Sequence, residues 1–126
     1  MIKTFESFND DTVQTVKDIC LELEDEGYSV NHVTTKEEAG LLMLSFNFNS
    51  VTIRKRGTEG GVIRFYTFDY SDVSEVVDRL KEYLGSKIQS IRVRKIISNG
   101  DGVWVDLDRL KNEKIKGVSI TYDKDI

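Results

Sequence analysis

The sequence predicts an α+β fold: a two-layer sandwich, with a mainly antiparallel sheet of about six or seven strands and two helices packed on one face. Three observations carry this prediction. Residues 9–26 and 72–84 repeat apolar side chains at helical spacing. Several other segments alternate apolar and polar residues, as half-buried strands do. Turns rich in glycine or asparagine join those segments as hairpins.

Composition sets the frame. At 126 residues the chain is read as a single α+β domain, 1–126, long enough to bury its own core. It has no proline, which suits regular elements joined by short turns. No run approaches the roughly 18 apolar residues that cross a bilayer, and Met1–Glu6 lacks the apolar core of a signal peptide. A single cysteine, Cys20, cannot form an internal disulfide. A cytoplasmic protein without membrane contact is therefore expected. The net charge of −4 argues against general nucleic-acid binding, but the charge is unevenly spread. Glu6, Asp10, Asp11, Asp18, Glu22, Glu24, Asp25 and Glu26 make the start acidic, whereas Arg54, Lys55, Arg56 and Arg64 make the middle basic.

The first helix is placed at 9–26. Asn9 or Asp10 would cap it, and Phe8 and Val13 have the spacing of a hydrophobic staple. Val13, Val16, Ile19 or Cys20, and Leu23 form the buried stripe, and Gly27 ends the helix. Glu22, Glu24, Asp25 and Glu26 crowd an end where the helix dipole disfavours negative charge. They are either a solvated terminus or an acidic docking patch.

Tyr28, Val30 and His32 mark a strand at 28–34, and Lys36–Gly40 a turn. Leu42, Leu44, Phe46 and Phe48 then alternate with polar residues, after which apolar parity shifts to Val51 and Ile53. A two-residue turn at Asn49-Ser50 explains that shift, and a bulge in one long strand is the alternative. Leu42, Leu44, Phe46, Val51 and Ile53 are the expected floor of the core. Gly57–Gly61 is read as a hairpin loop leading into Val62–Phe68. It lacks the lysine-serine/threonine ending of a phosphate loop. On this register Thr52, Arg54, Arg56, Arg64 and Tyr66 share the polar face.

The second helix has Ser71 or Asp72 as cap, Val73, Val76, Val77, Leu80 and Leu84 as its stripe, and Gly85 as its stop. Ile88–Ile97 and Val103–Leu107 form a hairpin around Asn99–Asp101. That register sets Ile96 against Trp104, Arg94 against Asp106 and Arg92 against Asp108, so that opposite charges face each other. Val118–Tyr122 is the last strand.

Few residues carry a chemical signal. Asp101, Asp106 and Asp108 have oxygen ligands for a hard cation, but arginines answer the two strand aspartates, so no metal site or cofactor is expected. Cys20 and His32 belong to different elements, and no nucleophile elbow or dinucleotide fingerprint is present. A non-catalytic protein is the first expectation, and an enzyme of unknown type is the third reading, because carboxylate pairs of the glycosidase kind leave no local signature. Trp104, outward-facing beside Arg92, Arg94 and Ile96, has the composition of a protein-binding hot spot for a partner or a second copy. The alternative is nucleic-acid binding, with Arg54, Arg56 and Arg64 on phosphates and Tyr66 stacked on a base.

Two resemblances bear on origin. Lys3-Thr4-Phe5-Glu6-Ser7-Phe8 resembles the start of small uncharacterised accessory proteins of tailed phages and marine metagenomes, which implies action in a host cytoplasm or virion. The order of one helix, several strands, a second helix and more strands is similar to that of type III secretion chaperone-like proteins, which are small, acidic, dimeric peptide binders. This chain departs from that order in a further strand and in lacking a third helix. Neither resemblance transfers functional residues.

Overall fold

A computed structural model describes residues 3–33, 48–97 and 100–123, with side chains from Thr12 onward. Among the described residues the chain forms seven antiparallel strands in one sheet and two α-helices. The elements are α1 (Lys3–Asp25), β1 (Tyr28–Val33), β2 (Phe48–Glu59), β3 (Val62–Tyr66), β4 (Phe68–Asp69), α2 (Ser74–Leu84), β5 (Ile88–Ile96), β6 (Gly102–Asp106) and β7 (Lys114–Asp123). The sheet order is β1-β2-β7-β5-β6, with β3 paired to β2 and β4 to β7.

The helices lie on one side of this sheet because their apolar stripes have nowhere else to go. Val16, Cys20 and Leu23 of α1, and Val76, Val77, Leu80 and Leu84 of α2, are buried together with Val51, Ile53, Val93, Val118, Ile120 and Tyr122 of the strands. Leu80, Val51, Ile53 and Ile120 are each 0 % exposed, and burying a side chain of that size stabilises by about 1.5–3 kcal/mol. Val73 ends the 3-10 turn Tyr70–Asp72 and is fully buried just before α2. Gly85 closes α2 at φ +55°, a conformation that side chains rarely adopt. Glu22 of the acidic α1 end is held by Arg79 of α2.

Several local expectations change. Ser71 and Asp72 do not cap α2: they lie in the preceding 3-10 turn, and Val73 occupies the cap position with no side-chain cap bond. The first helix starts at Lys3, so Asn9 and Asp10 lie inside it and Phe8 does not precede it. The modest intrinsic preference of Asn and Asp for caps is outweighed once neighbouring turns extend the helix. Asn49 and Ser50 are not a turn either. They lie in β2, with Asn49 opposite Tyr122 and Ser50 opposite both Val33 and Thr121. The Lys36–Gly40 turn and the Leu42, Leu44 and Phe46 floor fall outside the described residues, while Val51 and Ile53 are core as expected. Finally, the loop predicted at Gly57–Gly61 contracts to Gly60-Gly61, at φ +60° and +80°, which closes a tight hairpin between Glu59 and Val62.

That contraction shapes the molecule. Lys55 pairs with Tyr28 on one side and with Tyr66 on the other. Thus β3 takes over the edge of β2 that β7 occupies up to Ile53. Beyond Lys55, β2 and β3 continue as a two-stranded ribbon, and all five residues of β3 are exposed.

Candidate interaction face

Parity along the strands decides which residues share the side away from the helices. Val51, Ile53, Val93 and Val118 point into the core, so their neighbours Thr52, Arg54, Arg92, Arg94, Gly117 and Ser119 point the other way. Across the sheet, the pairing runs Asn31, Thr52, Ser119, Arg92 and Asp106 in one row. The adjacent row holds Arg54, Gly117, Arg94 and Trp104.

The second hairpin departs from its expected register by two residues. Ile97 N–H donates to the Asp101 carbonyl at 2.9 Å and Gly100 N–H to the Ile97 carbonyl, with Gly100 at φ +89°. The closing pair therefore lies one residue earlier on each strand than predicted. A shift of two preserves which face each side chain takes and changes every partner. Arg92 now faces Asp106, with Nε 3.7 Å from Oδ1. Arg94 faces Trp104, Ile96 faces Gly102, and Asp108 leaves the strand for a 3-10 turn at Leu107–Arg109. Arg94 thus lacks the carboxylate that the predicted register gave it, and its Nε has no hydrogen-bond partner.

Two glycines let long side chains lie flat on this face. The Arg94 side chain crosses Gly102 so closely that a Cβ there would overlap its Nε. A Cβ on Gly117 would lie 3.5 Å from both Arg54 Cγ and Trp104 Cη2, so the indole reaches across Gly117 toward Arg54. On the far side of Arg54, its guanidinium stands 4.8 Å from the centre of the Phe65 ring, within cation–π range. The result is a continuous strip of Phe65, Arg54, Trp104 and Arg94. Trp104 is 41 % and Phe65 39 % exposed.

The predicted sites are regrouped accordingly. Trp104, Arg92, Arg94 and Ile96 share a face as expected, and Arg54 and Arg56 join them. Arg64 and Tyr66 do not. They pair with Gly57 and Lys55 and lie on the reverse of the ribbon, where both approach Glu59. The cause is the tight turn, which moves β3 parity by one and brings Phe65 and Ile63 to the open face instead. Phe65 and Gly117 escaped sequence reasoning. The Gly60-Gly61 pair was the signal for Phe65, whereas Gly117 gave none.

Other candidates for chemistry are accounted for by the fold. Cys20 is 1 % exposed, and burial, with Glu24 adding to it, pushes its thiol up to about 12, too high for a nucleophile near neutral pH. His32 shares a 2.5 Å hydrogen bond between Nε2 and the Tyr122 hydroxyl. Burial, with help from Lys17, pushes its pKa down to about 4. Among the described residues, no three His, Cys, Asp or Glu side chains are grouped to hold a metal ion, and no helix is long and apolar enough to cross a membrane. A cleft of about 690 Å³ is lined by Tyr70, Ser74, Leu107, Leu110 and Glu113. Lys95 binds Glu113 at 2.9 Å and lowers its pKa.

Comparison with known proteins places no relative beside this geometry. No protein-family model matches the chain, and neither a curated protein nor a solved structure is found to match it.

Proposed function

We propose that this chain is a non-catalytic binding protein that holds a protein partner on its open sheet face, through a partner segment that is both acidic and apolar. The observation that carries this reading is the strip of Phe65, Arg54, Trp104 and Arg94, in which aromatic rings alternate with arginines that have no carboxylate within the described fold. Tryptophan and arginine are among the residues most enriched at interface hot spots, and Trp104, at 41 % exposed, is free to be covered. Arg54, Arg56 and Arg94 would meet carboxylates, and Trp104, Ile63 and Ile96 the apolar groups between them. A second copy fits this face less well, because two-fold stacking would set these arginines against themselves.

Trp104 is the only tryptophan, so its emission reports on this face alone. The probes are a synthetic peptide alternating glutamate with leucine or phenylalanine, and a single-stranded oligonucleotide. The peptide should shift or quench the emission, and Arg54→Glu or Arg94→Glu should weaken that response at least about ten-fold. Binding of the oligonucleotide alone, falling steeply with salt, would replace this reading with nucleic-acid binding. Silence toward both probes would overturn it.

A further inference from the structure

We infer that the outer edge of β3 is a self-association site, which pairs antiparallel with β3 of a second copy about a two-fold axis at Arg64. The inference concerns an edge and does not depend on the open face. Among the described residues nothing pairs with β3 on the side away from β2. All of its residues are exposed, including Val62 at 56 % and Ile63 at 53 %. An unpaired strand edge is a template for another strand unless proline, a bulge or charged side chains blunt it. β3 has neither proline nor a bulge, and its one charge, Arg64, lies at its centre.

Backbone geometry fixes the register. The Gly60-Gly61 turn makes Glu59 and Val62 the closing pair. In such a hairpin the closing residues bond to one another, and alternate residues point their N–H and C=O groups outward. Val62, Arg64 and Tyr66 therefore spend their backbone groups on β2, and those of Ile63 and Phe65 face outward. A two-fold axis at Arg64 sets Ile63 opposite the partner's Phe65, so that both satisfy each other's outward groups.

The side chains support the same axis. Val-Ile-Arg-Phe-Tyr is apolar on both sides of its arginine, so reversing the strand leaves the pattern unchanged. Ile63 meets the partner's Phe65 on one side of the new sheet; on the other, Val62 lies opposite the partner's Tyr66, whose ring leans over Gly57 of its own β2. Such apolar and aromatic cross-strand pairs are favourable. The charge at the axis is answered within each chain, because Glu59 Oε2 lies 3.7 Å from Arg64 Nε. A slip of one residue would set Arg64 against an apolar neighbour and break every pair. The ribbon, marginal as two strands, becomes four.

Light scattering over a concentration series, joined to cysteine cross-linking, tests this. At high concentration the mass should approach twice the 14.4 kDa of one chain. Ile63→Lys, at an exposed position, should keep the circular dichroism spectrum and raise the dimer dissociation constant about ten-fold or more. Trp104→Ala should leave the dimer intact. Directly opposed residues at a non-hydrogen-bonded position lie about 4.5 Å apart at Cα, within disulfide reach. Arg64→Cys should therefore oxidise to a covalent dimer, while Thr58→Cys, off the axis, should not; Cys20 is buried and stays silent. A monomer at every concentration overturns the inference. So does a dimer that survives Ile63→Lys, or one that cross-links equally from both positions.

Discussion

His32 should give the protein a pH-dependent stability that a single substitution removes. Its ring is half-buried beside α1, where Val16, Lys17, Asp18, Glu24, Val30 and Val51 line the same cavity of about 410 Å³. Burial is the main reason its pKa falls to about 4 from the ordinary 6.5, and Lys17 adds to the effect. The unfolded chain thus takes up a proton near pH 6.5 that the folded chain refuses until about pH 4. Where the unfolded state binds more protons, stability rises with pH. The contribution is therefore complete above pH 6.5 and is lost as pH falls through this window.

One pKa unit corresponds to about 1.4 kcal/mol, which sets a ceiling of roughly 3.5 kcal/mol for the shift from 6.5 to about 4. Because the ring is only half-buried, a loss of about 1–2 kcal/mol by about pH 5 is expected. Urea unfolding of the wild type and of His32→Gln, at a series of pH values, measures it. The wild type should be the more stable at neutral pH, and the gap should narrow by about 0.5–1 M in midpoint as pH falls. Carboxylates titrate in both proteins and cancel. A gap that stays constant from neutral pH to about pH 5 would refute the reasoning.

Three further outcomes are expected. Leu80→Ala should cost about 2–5 kcal/mol in urea unfolding, because Leu80 is 0 % exposed; Leu21→Ala, at a 53 % exposed position of α1, should stay within about 0.5 kcal/mol. Gly117→Val should lift Trp104 from the sheet, because the new side chain competes with the indole and meets the Ile53 carbonyl at 3.3 Å; a red-shifted emission with folding retained would register it. Arg79→Ala breaks an ion pair whose partners are about half exposed and should cost less than about 1 kcal/mol, an effect that high salt erases.

The sequence was most legible where one period ran long enough to speak for itself. Val76, Val77, Leu80 and Leu84 specified α2 and its buried face, and Val73, read into the same stripe, lies just before the helix; all five are in the core. The sandwich with two helices on one face followed from such runs. Registers were harder. Charge complementarity favoured Arg94 opposite Asp106, yet each exposed pair of that kind is worth only a few tenths of a kcal/mol. Turn geometry at Gly100 therefore decided the pairing instead. At Gly57–Gly61 three glycines offered several turns, and the choice of Gly60-Gly61 reversed the faces of Arg64 and Phe65. Trp104 was correctly placed outward beside Arg94. Its reach toward Arg54 depends on Gly117, which lies more than sixty positions from Arg54 in sequence, and no local pattern announces that contact.

The position of β7 bears on how the chain folds. It is the last described strand in sequence and the middle one in space, binding β2 on one side and β5 on the other. Its contact of Ile120 with Val51 joins residues about seventy positions apart. The β1–β2 and β5–β6 pairs join strands close in sequence, but the two pairs do not meet until β7 slides between them. Closing such distant contacts is slow compared with forming hairpins, so insertion of this strand is the expected rate-limiting event. A chain cut before Lys114 would hold β1, β2 and β3 on one side and β5 and β6 on the other, with an open slot between β2 and β5. A synthetic peptide of residues 114–123 should then restore the sheet by filling it.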